Sequence, residues 1–201
     1  MNPNESADNH TDWVYPVILS VPENARPLKG REQVKLLSRY ARKALEVSAQ
    51  KRGIRLEKLL KDPDGVPLPF DGCYWSLTHK PEYVGAVVAY KPTGIDIERI
   101  KEVSAALIQK IAISSEWQLS ERDPQRDFFR FWTAKEAVLK AVGVGMKGLS
   151  KCRIRRILDQ RHMVVDYEGK SFTIEHFQFD GYIAAVVENG FRVEWTVDKC
   201  F

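Results

Sequence analysis

The chain has few residues that would let it be cross-linked, and no apolar run that would let it enter a membrane. Its three cysteines, Cys73, Cys152 and Cys200, are odd in number and widely spaced over 201 residues. That pattern argues against a disulfide framework and against a paired-cysteine zinc site, and it reads as reduced structural thiols. The most apolar stretch, Val14 to Val21, is broken by Pro16 and falls far short of the roughly 20 residues needed to span a bilayer. The first twelve residues, MNPNESADNHTD, contain no Lys or Arg and no apolar core. They read as a disordered tail, residues 1–12, and not as a secretory signal or transit peptide. A cytoplasmic protein with no membrane partner is expected.

What is present describes a soluble globular chain: 44% of residues are hydrophobic and 29% charged. A chain of this length buries roughly 70% of its unfolded surface, in one domain or in two small lobes. The formal charge is only +4, but it is unevenly spread. Between Arg26 and Lys61 stand twelve Lys or Arg against three Glu. Such a segment suits an anionic partner, whether nucleic acid, acidic protein or phosphorylated cofactor, and equally suits a solvated helix face.

Hydrophobic periodicity predicts a first strand in WVYPVILSV, then a helix from Gly30 to about Gln50 with Val34, Leu37, Ala41, Ala44, Leu45 and Ser48 at helical spacing. DPDGVPLPFDG is a loop. CYWSLTH, YVGAVVAY and IDIERI follow as strands, Val103 to Leu119 as one or two short helices, and Asp127 to Val142 as a second long helix. From Arg153 onward short alternating runs read as sheet, punctuated by Gly169, Gly181 and Gly190. Two echoes lie about half a chain apart: Tyr83–Val88 with Tyr182–Val187, and Tyr40–Leu45 with Thr133–Val138. The expected fold is α+β: two similar α+β lobes about a pseudo-twofold axis, 13–98 and 99–201, with the ligand site in the cleft between them.

Two motifs carry chemistry. In GIDIE, Gly94 to Glu98, a strand of period two turns Ile95 and Ile97 into the core and presents Asp96 and Glu98 together. Two carboxylates so placed call for a cation, and oxygen-only ligands select a hard ion such as Mg²⁺. The alternative is a half-exposed strand with two solvated acids. Gly94 leaves room for a ligand to approach the backbone. In FWTAKEAVLK, Phe131 to Lys140, Glu136 and Lys140 share a helix face while Phe131, Ala134, Val138 and Ala141 form the apolar stripe. Alone this pair reads as a surface ion pair. Gly143 is the helix stop, and His79 ends a strand just before the Lys80-Pro81 turn.

Taken together, Thr78-His79, Asp96-x-Glu98, Glu116 and Trp132-x-x-Lys135-Glu136-Ala137-x-x-Lys140 resemble the 4'-phosphopantetheinyl transferases, in particular the larger two-lobed type named for surfactin synthetase activation. The resemblance covers roughly residues 26 to 190. It implies transfer of the phosphopantetheine arm of coenzyme A onto a serine of an acidic acyl or peptidyl carrier protein, with release of adenosine 3',5'-bisphosphate. Asp96, Glu98 and Glu136 would hold Mg²⁺. Lys140 would neutralise the diphosphate, Thr78 and His79 would hold it from the other lobe, and Lys135 would join the cofactor-binding set. Glu116 would be the base for the incoming serine, with His79 and Lys140 the other catalytic groups. The family's usual Ser before the histidine is Thr78 here, and its Gly-Lys-Pro loop is Gly65-Val66-Pro67. Arg26, Lys29 and Arg31 stand in for the lysines that grip the 3'-phosphate in relatives. A cytoplasmic monomer with no nucleic-acid partner is implied. Two other readings remain open on the residues alone: a metal-dependent nuclease or phosphatase, and a basic binding module whose acids are only surface charge.

Overall fold

The computed structural model describes residues 13–26, 28–120 and 124–198; the expected tail, 1–12, and Cys200 lie outside them. WVYPVILSV is extended, but Pro16, which has no amide hydrogen to give a ladder, divides it. β1 (Trp13–Val14) and β2 (Val17–Ser20) result, and they join different sheets. α1 (Gly30–Arg52) buries Leu37, Ala41, Ala44, Leu45 and Ser48 on one stripe. It ends at Gly53, whose φ of 72° is the left-handed position that lets its amide return to the Ala49 and Gln50 carbonyls.

β3 (Tyr74–His79) and β4 (Tyr83–Ala89) complete the first sheet, together with the late strand β11 (Thr196–Asp198), in the order β11-β2-β4-β3. The second sheet contains β5 (Ile95–Arg99), β6 (Cys152–Ile157), β7 (His162–Tyr167), β8 (Lys170–Phe179) and β9 (Tyr182–Val187), in the order β5-β9-β8-β7-β6. Between β5 and β6 run α2 (Ala105–Ile111), α3 (Ser114–Trp117) and α4 (Pro124–Val142). β1 pairs with β10 (Arg192–Val193).

Alternation along the two echoing strands explains the layering. On β4, Val84, Ala86 and Val88 pack under α1 with Leu37, Ala41 and Leu45. Val87 and Ala89 point the other way and meet Ile95 and Val186 of the second sheet. On β9, Ile183, Ala185 and Val187 pack under Phe131, Ala134 and Val138 of α4, while Ala184 turns to Ile18 and Ile97. The order is helix, sheet, sheet, helix; β9 is buried throughout and β4 from Val84 to Ala89.

Strand pairing crosses the expected boundary. Ile95–Glu98, assigned to the first lobe, pairs with β9 and belongs to the second sheet. The late strand β11 returns to the first sheet beside β2. Nearness in sequence suggested a break after residue 98, but backbone pairing decides membership, and it exchanges one strand each way. Among the described residues, Cys73 and Cys152 are buried free thiols, and no helix is long and apolar enough to cross a membrane.

Candidate functional site

The seam between the sheets runs along β3 and β5. Ser76 and Thr78, two apart and therefore on one face of β3, both reach β5. The Ser76 hydroxyl accepts from the Ile95 amide at 3.2 Å, and Thr78 donates to Asp96 Oδ1 at 3.0 Å. From the other side α4 brings Trp132, Glu136 and Lys140, spaced by four and so on one helical stripe. Helix and strand approach closely because residue 94 is glycine. A Cβ there would lie 2.0 Å from the Ala137 carbonyl oxygen. The space expected for a ligand at Gly94 is thus filled by α4 itself.

This packing gathers Asp96, Glu98 and Glu136, each offering a carboxylate oxygen within 4.8 Å of the others. Lys140 Nζ donates to Asp96 Oδ1 at 2.7 Å and to the Ile95 carbonyl at 2.9 Å. Lys80 Nζ donates to Glu98 Oε1 at 2.6 Å, and Trp132 Nε1 donates to the same oxygen at 3.1 Å. Asp96 is 2% exposed, and its second oxygen, Oδ2, is buried with no hydrogen-bond partner. Burial, then the negative charge of Asp96, pushes the Glu136 carboxyl up to about 7, with Glu98 adding to the rise and Lys140 and Lys80 opposing it. The cluster therefore has fewer positive charges than its carboxylates require. Three oxygen ligands and an unpartnered buried oxygen suit a hard divalent cation such as Mg²⁺.

A crevice of about 230 Å³ adjoins the cluster, lined in part by Lys61, Val66, Pro67, Ser76, Leu77, Lys140 and Gly143. Its cations act on one another. Burial, Arg42 and Lys140 lower the Lys61 ammonium pKa. His79 is lowered by burial and then by Lys140, Lys80 and Lys61, which leaves a neutral imidazole near pH 7.

Other expected residues lie elsewhere. Lys135, one step along α4 from Glu136, turns into the core at 1% exposure. Its Nζ donates to the Ile111 carbonyl at 2.7 Å and pairs with Glu116 Oε1 at 2.6 Å. Burial lowers its pKa, against the opposing pull of Glu116. Glu116 is itself 2% exposed; Oε2 accepts from the Ile113 amide at 2.9 Å, and Oε1 also accepts from the Ile154 amide at 2.7 Å. A carboxylate so placed accepts three hydrogen bonds and joins α3, α4 and β6. Glu116, expected as the base, and Lys135, expected as a cofactor contact, are thus engaged with each other and with the backbone. Arg26 is bound to the Val21 carbonyl at 2.9 Å, and Lys29 and Arg31 are exposed at the start of α1; none of the three lines the crevice.

Lys80 and Trp132 as a donor were not expected at this cluster, whereas Arg42 and Lys61 belong to the basic segment that suits a phosphorylated cofactor. The stripe 132, 136, 140 was a readable clue to Trp132. Lys61, the last cation of the basic segment, reaches the crevice from a loop.

Residues 92–187 match the sequence model described as the 4'-phosphopantetheinyl transferase superfamily. The chain is 31% identical over 90 residues to the 4'-phosphopantetheinyl transferase gsp of Aneurinibacillus migulanus, covering 43% of this chain and 38% of that protein. It is 34% identical over 87 residues to the 4'-phosphopantetheinyl transferase psf-1 of Bacillus pumilus, covering 41% and 37%. It is 33% identical over 90 residues to the 4'-phosphopantetheinyl transferase HetI of a Nostoc species, covering 41% and 38%. Each alignment spans less than two fifths of the relative. The matched segment contains Asp96, Glu98, Glu116, Lys135, Glu136 and Lys140; Thr78 and His79 precede it.

Proposed function

We propose that this chain, whose residues 92–187 match the 4'-phosphopantetheinyl transferase superfamily, moves the phosphopantetheine arm of coenzyme A onto a carrier-protein serine, releasing adenosine 3',5'-bisphosphate. The observation that carries this reading is the convergence of Asp96, Glu98 and Glu136 around an unpartnered buried oxygen, beside a crevice lined by Lys61 and Lys140. In this reading Asp96, Glu98 and Glu136 hold Mg²⁺, which when bound offsets charge on the nonbridging diphosphate oxygens.

The chain's own groups do the rest. Thr78 fixes the orientation of Asp96. Lys140, positioned by the Ile95 carbonyl, presents an ammonium group to the diphosphate. Lys61 and Arg42 supply positive charge for the cofactor's anionic far end, a role first expected of Arg26, Lys29 and Arg31. His79, neutral at physiological pH and exposed at the end of β3, takes the serine proton in place of Glu116. The pseudo-twofold relation of two lobes belongs to the same reading. It is supported by the echoing strands, each buried beneath one long helix. The enzyme is taken to work as a cytoplasmic monomer on an acidic carrier, which the basic segment from Arg26 to Lys61 would attract.

Incubation with coenzyme A, Mg²⁺ and a purified apo carrier protein, followed by intact mass, is the direct test. A carrier heavier by one phosphopantetheine group is expected. An unmodified carrier with hydrolysed phosphate ester or nucleic acid in parallel reactions would favour the phosphatase or nuclease reading. Neither activity would leave a binding module.

A further inference from the structure

Two of the three acids are held in the same way. One oxygen of each takes a lysine and a neutral donor: Lys140 and Thr78 on Asp96 Oδ1, Lys80 and Trp132 on Glu98 Oε1. Lys140 belongs to the motif on α4, but Lys80 does not. It lies in the β3–β4 turn, where its amide bonds the Tyr83 carbonyl at 2.7 Å, and its side chain crosses to β5 with 28% exposure. We propose that Lys80 is a built-in counter-ion that weakens divalent-cation binding by the bare protein and so makes that binding depend on an anionic diphosphate. This deepens the functional reading above and rests on it.

Three carboxylates facing two ammonium groups carry a single net negative charge when all are ionised. A divalent cation entering that cluster leaves it net positive, so an arriving diphosphate restores the balance and each ligand favours the other. Without Lys80 the cluster carries two net negative charges, which match a divalent ion without help. Lys80 is also fixed for this purpose, since its turn is closed by a backbone bond and Glu98 is held in place by Trp132 as well. One unit charge a few ångströms from a divalent ion, partly screened by water, changes affinity by about tenfold.

The test is a titration with Mn²⁺ as probe, the free ion being followed by electron paramagnetic resonance, with and without coenzyme A. Wild type, Lys80→Met, Lys80→Gln and Lys80→Arg are compared, with thermal melts to check folding. Coenzyme A should strengthen Mn²⁺ binding by wild type and by Lys80→Arg. In Lys80→Met and Lys80→Gln the bare protein should bind Mn²⁺ about tenfold more tightly, and the enhancement by coenzyme A should shrink by a similar factor. Unchanged or weaker bare binding in both neutral variants, with the enhancement intact, overturns the role of Lys80 and leaves the transferase reading standing. Wild type whose Mn²⁺ binding is indifferent to coenzyme A overturns both.

Discussion

Lys135 and Glu136 are neighbours on α4, yet they enter opposite worlds. Lys135 turns inward and meets a partner whose oxygens are all in use, since Glu116 accepts from Lys135, Ile113 and Ile154. Glu136 turns about 100° away and meets two more acids, one with a buried oxygen that has no hydrogen-bond partner. Both regions contain acid and lysine at close range. The first is saturated and ties three elements together; the second is left unbalanced. Charges that satisfy one another hold a fold, whereas charges that do not are available to a ligand.

Removing one acid from each region should have opposite consequences. Asp96→Ala should lower transfer by about 10²–10³-fold or more while leaving the melting temperature close to wild type, because it relieves like charge in the cluster. Near-normal turnover at saturating Mg²⁺ would remove Asp96 from the site. Glu116→Gln should do the reverse. It leaves the Lys135 ammonium buried without its counter-charge, a loss of about 3–5 kcal/mol in stability, whereas turnover per folded molecule should stay near wild type. Denaturant unfolding and activity at low temperature separate the two effects. A variant as stable as wild type but with turnover cut a hundredfold would restore Glu116 as the base.

The smallest effect concerns protons. The Glu136 carboxyl is raised from 4.5 to about 7 in the folded chain, so the folded state holds a proton that the unfolded state has released. The stabilisation this provides is present in full below the ordinary carboxylate range and disappears as pH rises through about 7. Metal-free melts from pH 5 to 8 should therefore show wild type losing ground to Glu136→Gln as pH increases. Parallel curves would mean that Glu136 titrates normally. Metal binding requires the carboxylate, so the affinity of wild type for Mn²⁺ should climb over the same range.

Much of this was open to inspection in the chain itself. Alternation in IDIE put Asp96 and Glu98 on one side of a strand, and helical spacing put Glu136 and Lys140 on one face. The same rules located both long helices and the strands they cover. The expectation of Glu116 as the base meets a physical objection. Glu116 lies at the right place in the motif order, but order says nothing about whether the carboxylate's oxygens are already taken. Gly94 misled in the same way: the need for a missing side chain was visible, but the body that approaches it is α4.

Residue periodicity was enough for the mixed α and β class, the two helix-covered strands and the two halves of the acid cluster, because 2.0- and 3.6-residue periods dictate which side chains leave an element on the same side. Tertiary structure alone decided what stands opposite them. Thr78 meets Asp96 and Lys80 meets Glu98 across 18 residues, and Ile154 meets Glu116 across 38. Contacts of that separation depend on how sheets and helices pack. Whether an acid ends up balanced or exposed to a ligand is therefore decided by its neighbours in space, which local periodicity does not specify.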